Sequence, residues 1–582
     1  MRYKILNVIY NSLLLCGIAL TVLTFTACKK DKLDMKVDNR ALTENRTLSQ
    51  ARIINFGEYN QVIAEADSLT NFITRNSSDP DHYKYPGTSY FPTDGRLGKM
   101  WTLPQDLFDK NSQVSLSIGT RNYQGVGDRD LKLVAVDDYT KPTDYFLLPS
   151  NFVAGMNDVV AVPRGVSLPS KPDHFKIRVV NLGVKISEVI FAPNGVSEDI
   201  SGPVSLAYAD GTLVNSKTNN ISSQAIASDY IELPYGTYQF KLLLADGRQI
   251  PSLGSESHNY TLIDPASSTI PISYDKVSHL HYAPIMTYQP GGVYTIVVSP
   301  RRFGYFMDEV DNTADVFQNS FQIITDVTPE ANRTYFRAQA VNAYQTQAVN
   351  FSIAGNSMGN NVSFGNASSY INLVQGEYTI EAKDATGKVL ATTKQFLRAA
   401  QNYTFWLHPT EQGNPNILAV ANDLSGVLPR GSGDDATFSR YENNFYFFKR
   451  FLNLSVGNPY VTFTLGNGQG AGQSFDNVEA AQNLQPGVPK IDRPYLLMGE
   501  YRNPFEILAY RSTPNMIPGV WADDIPVLSS EVFIANKNLY DHVNRPRPVQ
   551  EAGVYTVALI GKSASSAGQN DKAKMIIVKH NK

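Results

Sequence analysis

A serine flanked by glycines is the clearest sign of nucleophilic chemistry in this sequence. Gly355-Asn-Ser357-Met-Gly359 has the spacing of a nucleophile elbow, a sharp strand-to-helix turn that presents the serine to a histidine and an acid. The next residues, Asn360-Asn361-Val-Ser-Phe364, have the pattern of a returning strand and not of a helix. A hairpin is therefore the prediction, and no residue is assigned a catalytic role.

A glycine-rich segment and a pair of histidines suggest two other chemistries. Gly466-Asn-Gly468-Gln-Gly470-Ala-Gly472 follows a strand-like run, but it neither opens a helix nor ends in Gly-Lys-Ser/Thr as a phosphate-binding loop does. We expect a flexible loop that could contact a ligand. His279 and His281 would share one face of a strand, yet no third ligand lies near them in sequence. No metal and no other cofactor is expected.

The three tryptophans are the best candidates for ligand contact. Trp406 lies beside Phe405 in an alternating strand, which predicts a role in the core. Trp101 and Trp521 lie in segments rich in proline and glycine, which predicts loops. An amphipathic ring on a loop can stack on a sugar or anchor a protein partner, or it can close the end of a domain.

The N-terminal residues predict export and a lipid anchor. Arg2 and Lys4 precede a largely apolar run, Ile5–Phe25, which ends in Thr26-Ala27-Cys28 and a polar stretch. This arrangement resembles the signal of bacterial lipoproteins, and the Cys-Lys-Lys-Asp start is similar to lipoproteins of the Bacteroidetes. The resemblance implies that residues 1–27 are removed and that Cys28 carries acyl chains, with residues 28–48 as a linker. It implies an outer-membrane protein exposed at the cell surface.

The cysteine count agrees with that interpretation. The chain has only Cys16 and Cys28, and Cys16 lies inside the predicted signal peptide. An exported chain with one remaining thiol can form no internal disulfide, so lipid attachment is the simplest use for Cys28. An ordinary secretory signal or an uncleaved anchor are the alternatives.

Composition excludes some functions and favours strands. Loss of Arg2 and Lys4 with the signal peptide would take the net charge from −3 to −5, and no basic block is present. Nucleic-acid binding is therefore disfavoured, because it requires concentrated positive charge. An apolar fraction of 42% in 582 residues supports several packed domains, and 32 Tyr, 28 Phe, 40 Gly and 32 Pro favour strands and turns.

An internal repeat decides the architecture. The segment from Asp229 through Gly236 and Tyr238 aligns without a gap with the segment from Ser369 through Gly376 and Tyr378, at an offset of 140 residues. Each repeat begins with a strand that ends in asparagine, at Asn55, Asn181, Asn342 and Asn453. Each ends with a strand of one pattern, at Gly292-Val-Tyr294, Gln401-Asn-Tyr403, Gly553-Val-Tyr555 and, more loosely, Gly155–Val162.

Four repeats follow, at 49–165, 172–305, 333–425 and 444–582, with insertions at 58–110 and 466–492. Short alternating strands bury one face and need a facing sheet, which predicts an all-β chain of tandem antiparallel sandwiches of immunoglobulin-like or transthyretin-like type. We expect Gly236 and Gly376 at turns that need a positive φ. We expect the asparagines to cap turns with their own side chains.

The second and third repeats resemble DUF4397, a family of β-sandwich modules in secreted and surface bacterial proteins. The resemblance is carried by a first strand ending in Val-Asn, a hairpin, and then Tyr-Ile-x-Leu-x-x-Gly-x-Tyr. The first and fourth repeats are more divergent. The resemblance implies fold and setting but no reaction.

Together these features predict a non-catalytic surface binding or scaffold protein, attached to a membrane through Cys28. Its partner would be a protein or a glycan, and in the second case it would be a glycan-binding accessory of a polysaccharide-capture system. The alternative is a secreted polymer hydrolase. The alternative is disfavoured because the repeats share no acid, histidine or serine beyond turn and core positions.

Overall fold

The structure is a computed structural model of the chain, and it describes most of residues 46–582. Cys28, His279 and His281 lie outside the described residues. No helix among the described residues is long and apolar enough to span a membrane. The described residues are 46–71, 86–120, 130–189, 199–252, 285–306, 313–344, 347–422, 424, 447–466, 468–470, 478–497, 504–540, 549–563, 568 and 570–582.

The chain forms two compact bodies. Among the described residues, the smaller comprises those within 46–48, 60–98 and 104–134, and the larger comprises those within 49–59, 99–103 and 135–582. The larger body therefore holds repeats 2, 3 and 4 together with part of repeat 1. Strands dominate both bodies, which confirms the all-β prediction.

Repeat 1 has eight strands in two four-stranded sheets. Residues 58–110, expected as an insertion, contain three of these strands. One sheet has the order β4-β1-β7-β8; the other, β3-β2-β5-β6, belongs largely to the smaller body. The strands are β1 (Leu48–Asn55), β2 (Gln61–Ala64), β3 (Asp67–Ser68), β4 (Met100–Pro104), β5 (Gln113–Gly119), β6 (Asp130–Val136), β7 (Thr143–Leu147) and β8 (Val159–Pro163).

Repeat 2 has a four-stranded first sheet, as repeat 1 does, but its remaining strands form two separate smaller sheets. The orders are β11-β9-β16-β17, β10-β13-β14 and β12-β15. Its last strand ends at Val327, beyond the expected segment 172–305. The strands are β9 (His174–Asn181), β10 (Val204–Ala207), β11 (Ile231–Pro234), β12 (Gly236–Tyr238), β13 (Lys241–Leu244), β14 (Gln249–Ile250), β15 (Met286–Tyr288), β16 (Val293–Phe306) and β17 (Thr313–Val327).

Repeat 3 is a regular sandwich of two four-stranded sheets, β21-β18-β24-β25 and β20-β19-β22-β23. Alternation builds its core: Val349, Phe351 and Ile353 of one strand are buried, and the residues between them are half-buried. The strands are β18 (Tyr335–Asn342), β19 (Val349–Ile353), β20 (Asn356–Val362), β21 (Ile371–Val374), β22 (Gly376–Lys383), β23 (Val389–Leu397), β24 (Asn402–Pro409) and β25 (Pro415–Asn422).

Repeat 4 has the same plan, with sheets β29-β26-β33-β34 and β28-β27-β30-β31. A short strand, β32, pairs with β30. The strands are β26 (Phe447–Asn453), β27 (Val461–Leu465), β28 (Gln469–Gly470), β29 (Tyr495–Leu497), β30 (Glu506–Thr513), β31 (Met516–Trp521), β32 (Leu528–Ser529), β33 (Gly553–Ile560) and β34 (Lys574–Lys579).

In every repeat the first strand is parallel to the next-to-last one: β1 to β7, β9 to β16, β18 to β24 and β26 to β33. The predicted closing strand near Gly155 is therefore wrong, because Val159–Pro163 is the last strand, antiparallel to β7. The strand parallel to β1 is β7, and its sequence lacks the tyrosine that marks this strand in the other repeats. Thr143 occupies the position of that tyrosine and pairs with Ala51.

The asparagines that end the first strands are buried and tie the strand end to neighbouring backbone. The Oδ1 atom of Asn181 accepts a hydrogen bond from the N–H of Gly183 (3.0 Å), and its Nδ2 atom donates to the carbonyls of Gly202 (3.0 Å) and Ile221 (2.8 Å). Asn342 and Asn453 make the same kind of turn with residues two positions later. Asn55 departs from this pattern, because its Oδ1 atom accepts from the N–H of Tyr59 (3.2 Å) and its Nδ2 atom donates to the carbonyl of Tyr59 (2.6 Å). Their role is structural.

The prediction that Gly236 and Gly376 need a positive φ is wrong, because neither adopts one. The tyrosine two residues later requires them instead. Tyr238 donates its hydroxyl to the carbonyl of Pro234 (2.8 Å), and Tyr378 donates to that of Val374 (2.7 Å). The ring thus folds back over the glycine, where an added Cβ would meet the ring of Tyr238 at 3.1 Å.

The repeats of the larger body bury the outer faces of their first sheets against one another. Ile54 and Phe146 of repeat 1 pack with Val180 and Val297 of repeat 2. Repeats 3 and 4 pack in the same way through a second apolar cluster, which includes the fully buried Trp406. All seven residues of β26 are buried, since one face lines the repeat's own core and the other meets its neighbour.

Polar side chains accompany both apolar clusters. Between repeats 1 and 2, Arg52 donates to both carboxylate oxygens of Asp144 (2.8 Å each) and to Asp326 (2.6 Å). Burial opposes the charge of Arg52, but the bonds and charges of the two aspartates outweigh it and raise the pKa of the guanidinium. The hydroxyl of Tyr230 donates to the other oxygen of Asp326 (2.9 Å).

Between repeats 3 and 4 the corresponding network contains a histidine. His580 contacts Gln339 Nε2 (3.2 Å) and the Tyr370 hydroxyl (3.0 Å) through Nδ1, and Thr556 Oγ1 (2.7 Å) through Nε2. Because the Nε2 nitrogen of Gln339 can only donate, this pattern assigns a neutral ring that accepts at Nδ1. Burial, reinforced by the nearby arginines, lowers the pKa of His580 to about 3.

Candidate ligand-binding surface

The structure separates the three tryptophans. Trp406 is fully buried. Trp101 was expected on a loop but lies in β4 and is only 6% exposed. Trp521 also lies in a strand, at the end of β31, and it is 50% exposed. Of the two candidates for ligand contact, Trp521 presents half of its side chain to solvent.

Trp521 ends a row of side chains that crosses three strands of repeat 4. Thr462 lies opposite Tyr510, and Tyr510 lies opposite Trp521. The neighbouring residues Phe463 and Ala509 face the core, so the row lies on the outer face of the sheet. Exposure rises along the row, from buried Thr462 through half-buried Tyr510 to Trp521. The outer face therefore presents two adjacent aromatic residues.

An arginine supports the hairpin that presents Trp521. Arg511 donates to Asp524 Oδ2 (2.8 Å) and to Asn458 Oδ1 (2.9 Å), and its Nη1 atom lies 2.7 Å from Asp524 Oδ1 in an ion pair. The hydrogen bond to Asp524 raises the pKa of Arg511, and burial only partly opposes this. These bonds connect β30, the turn after β31 and the segment before β27. The segment that follows Trp521 is therefore tied to β30 and to the residues before β27.

The glycine-rich segment lies beside the same row. Residues 469–470 form β28, which pairs with β27, so the part of the segment that the structure describes forms a hairpin. Gly468 has a φ of +81°, and a Cβ added there would lie 3.2 Å from the hydroxyl oxygen of Tyr510 and 3.6 Å from Pro518. Glycine thus allows the loop to approach the row. Two features that the sequence suggested separately, the loop and Trp521, lie on one surface.

The edge of this sheet is apolar and open to solvent. Met516, Ile517 and Val520 of β31 are each about half or more exposed, as is Trp521. Monomeric proteins seldom leave a cluster of this kind uncovered, and such clusters mark interaction sites. We call the Thr462–Tyr510–Trp521 row with this edge the Trp521 surface.

The described residues show no arrangement for catalysis at the motifs singled out in the sequence. Ser357 lies on the exposed strand β20 and donates to Asn360 Oδ1 (3.0 Å), so the predicted hairpin is confirmed. No group of three or more histidine, cysteine, aspartate or glutamate residues suited to a metal occurs in the described part of the chain.

Sequence reasoning missed Tyr510 and Arg511. Both lie in the alternating strand Ile507-Leu-Ala-Tyr510, which signals a strand but not its neighbours. Their position beside Trp521 depends on the register of β30 with β31. Strand register is set by turns and packing, so a single sequence does not show it.

The fold is that of a multi-domain β-sandwich protein. Residues 339–432, which span repeat 3 from its first strand onward, match the DUF4397 family, a domain of unknown function. This confirms the DUF4397 resemblance for the third repeat. A comparison with curated proteins finds no match.

Three solved structures are among the weak matches to this chain. Family 41 carbohydrate-binding modules of streptococcal virulence factors, described for alpha-glucan recognition, are 10% identical, with 42% of this chain and 97% of that chain covered and a TM-score of 0.13. A streptococcal virulence factor described for alpha-glucan binding is 10% identical. The match covers 30% of this chain and 79% of that chain, with a TM-score of 0.11. SGBP-B of the Bacteroides ovatus mixed-linkage glucan utilization locus, in complex with a mixed-linkage heptasaccharide, is 15% identical. The match covers 37% of this chain and 64% of that chain, with a TM-score of 0.08. Values this low establish no shared ligand.

Proposed function

We propose that this protein is a non-catalytic binding scaffold of the bacterial cell envelope, and that the Trp521 surface binds a glycan. The body that carries this surface is built from repeats that bury their sheets against one another. A preorganised scaffold of this kind lowers the entropic cost of presenting a ligand site. The observation that carries the proposal is the row Thr462–Tyr510–Trp521 on the outer face of repeat 4.

The chemistry of the row suits a sugar. Aromatic rings offer flat apolar faces that match the C–H face of a pyranose, and the phenol and indole offer polar atoms at their edges. The row has no charged member, which suits a neutral glycan. The aliphatic residues at the edge, Met516, Ile517 and Val520, would suit a protein partner instead, so the test includes that outcome.

Replacement of the exposed ring tests the surface. Full-length Trp521→Ala should lose at least tenfold in affinity for the glycans that the unmodified chain retains in affinity electrophoresis, since stacking on an anchor residue commonly contributes this much. Phe396→Ala is the matched control, because Phe396 is 60% exposed on repeat 3. Loss of binding in the control, or unchanged binding in Trp521→Ala, would contradict the proposal. Capture of a protein through Trp521 without glycan binding would replace the glycan by a protein partner.

The membrane anchor is part of the same proposal and rests on the sequence at Cys28. Cys28→Ala should move the protein from the membrane fraction to the soluble fraction, because the acyl chains would be lost. Cys16→Ala is the control and should remain membrane-bound, since Cys16 lies in the segment predicted to be removed. A Cys28→Ala variant that stays in the membrane would rule out lipid attachment at this residue.

Hydrolysis is the competing function. The full chain should leave neutral polysaccharides uncut under conditions in which it binds them, as measured by release of reducing ends. Cleavage that a single carboxylate substitution abolishes would replace the scaffold proposal by an enzyme.

A further inference from the structure

Repeat 3 contains a polar groove that lies away from the Trp521 surface. The groove has a volume of about 400 Å³ and lies between β20 and the segment that leads to β21. It contains the hairpin that resembles a nucleophile elbow. The lining residues are Ser357–Ser363, Asn366–Ser369 and Ile371.

The lining of the groove is uncharged, and its exposed side chains are mostly polar. Met358 and Val362 lie at the base of the groove but are buried in the core of the repeat. The exposed side chains around them are amides and hydroxyls, among them Asn361, Ser363 and Asn366. No lining residue carries a charge or an aromatic ring. An uncharged wall of exposed amides and hydroxyls is complementary to the hydroxyl groups of a neutral sugar.

Several polar groups of the groove are available to a ligand. Within the described part of the chain, the side-chain amides of Asn361 and Asn366 make no hydrogen bond to protein, whereas Asn360 accepts one from Ser357. An amide both donates and accepts, so each can bind adjacent sugar hydroxyls. A volume of about 400 Å³ lies in the range of small-ligand sites, roughly 300–1,000 Å³.

Close packing and hydrogen bonds fix the two walls of the groove. Gly359 lies against the far wall, where an added Cβ would come within 2.7 Å of the Ser368 side chain. The hydroxyl of Ser368 accepts a hydrogen bond from the N–H of Ala340 (2.9 Å), which fixes that wall to the first sheet. The N–H of Asn361 donates to Asn350 Oδ1 (2.8 Å), which fixes the other wall. The groove is therefore a built feature of the repeat.

A peptide strand added to the edge of β20 is the competing ligand. The pairing of β20 with β19 contains two register irregularities, and Asn361 has a φ of +52°. Bulges and residues of this conformation twist an edge strand away from the regular ladder that a peptide needs. The edge of β20 is thus a poor template for strand addition, which favours a compact neutral ligand.

We propose that the groove between β20 and residues 363–371 of repeat 3 is a second binding site, for a residue of a neutral saccharide. It does not depend on the Trp521 surface. The Gly-x-Ser-x-Gly sequence thereby serves recognition: its second glycine allows the two walls to approach, and its serine orients Asn360.

Titration of the full chain with short neutral gluco-, manno- and galacto-oligosaccharides tests the site. In the Trp521→Ala background the remaining binding belongs to the groove. Asn366→Ala should weaken it about tenfold, because hydrogen bonds to the ligand are lost. Ala367→Trp, at an exposed position of the lining, should abolish it. Thr392→Ala, exposed on β23 of the same repeat, is the control and should leave binding unchanged.

The two proposals fail separately. If Trp521→Ala removes all binding of these oligosaccharides, the groove proposal is overturned and the Trp521 surface stands. If Ala367→Trp removes all binding and Trp521→Ala none, the groove stands alone. Equal binding by the Ala367→Trp and Thr392→Ala variants would overturn the groove proposal. Binding of an extended peptide in place of sugars, blocked by Ala367→Trp, would also overturn it.

Discussion

The interface between repeats 1 and 2 and that between repeats 3 and 4 use the same sheets and the same strand positions, yet they bury different polar groups. The third residue before the terminal asparagine of the first strand is Arg52, Arg178, Gln339 or Arg450, and all four are buried. In the first interface Arg52 meets two carboxylates. In the second, Gln339 meets a neutral histidine, and Arg450 donates to the carbonyl of Ala421 (2.7 Å).

This difference shows that the repeat specifies a contact surface but not its chemistry. The apolar residue just before the terminal asparagine is retained, as Ile54, Val180, Val341 and Leu452, and each packs in an interface cluster. The polar residue two positions earlier varies with what the neighbour offers. A buried ion pair is sensitive to the loss of one partner, whereas a neutral network is sensitive to gaining a proton.

The largest expected effect comes from removing one ion of the first interface. Arg52→Met would leave buried Asp326 without its ion-pair partner and buried Asp144 with only Arg164, 3.7 Å away, and breaking a buried pair in this way typically costs about 3–5 kcal/mol of unfolding free energy. Arg450→Met is the matched control in the second interface and should cost less, about 1–3 kcal/mol, because its partners are neutral. Urea denaturation followed by tryptophan fluorescence measures both. A larger loss for Arg450→Met would remove the distinction between the interfaces.

The next effect is a dependence on pH. The pKa of folded His580 is about 3, below the ordinary unfolded value of about 6.5, so the unfolded chain binds more protons between these values. Stability should therefore fall as the pH falls from 6.5 towards 3, by ~2 kcal/mol from this group at pH 5. His580→Gln should remove that part of the slope. Arg52 titrates far above this range and contributes nothing to it.

Comparison of His580→Gln with the unmodified chain isolates the histidine from other groups. The difference in unfolding free energy between the two should be constant above pH 7.5 and should change steadily below 6.5. Parallel stability curves down to pH 4 would show that His580 is not held neutral by its surroundings.

The sandwich fold could be predicted from sequence because its signals are local. The alternation of apolar and polar residues, the turn glycines and the Gly-x-Tyr pairs each depend on a few neighbouring residues. The same signals recur 140 residues later in the chain. The reason for Gly236 and Gly376 could not be predicted, since a turn and a ring folded over the chain both demand glycine. The next-to-last strand of repeat 1 was missed because Thr143 replaces the tyrosine that marks it elsewhere.

Contacts between strands that lie far apart in sequence could not be predicted. Trp521 was recognised by its residue type, but its neighbour Tyr510 follows from the register of β30 with β31. Trp101 has a similar sequence context and is buried in β4. A proline- and glycine-rich context shows where a strand ends, and long-range pairing decides which of its side chains remain exposed.

The smallest effect tests what the two interfaces share. Val180→Ala and Val341→Ala each remove two buried methyl carbons next to the terminal asparagine, one in each apolar cluster. Each should cost roughly 2 kcal/mol, from about 0.8 kcal/mol per methyl carbon plus a cavity contribution. Equal losses at neutral pH would show that the apolar contact is common to both interfaces and that only the polar partners differ. A loss in one cluster alone would mean that its neighbouring repeat is held mainly by the polar network.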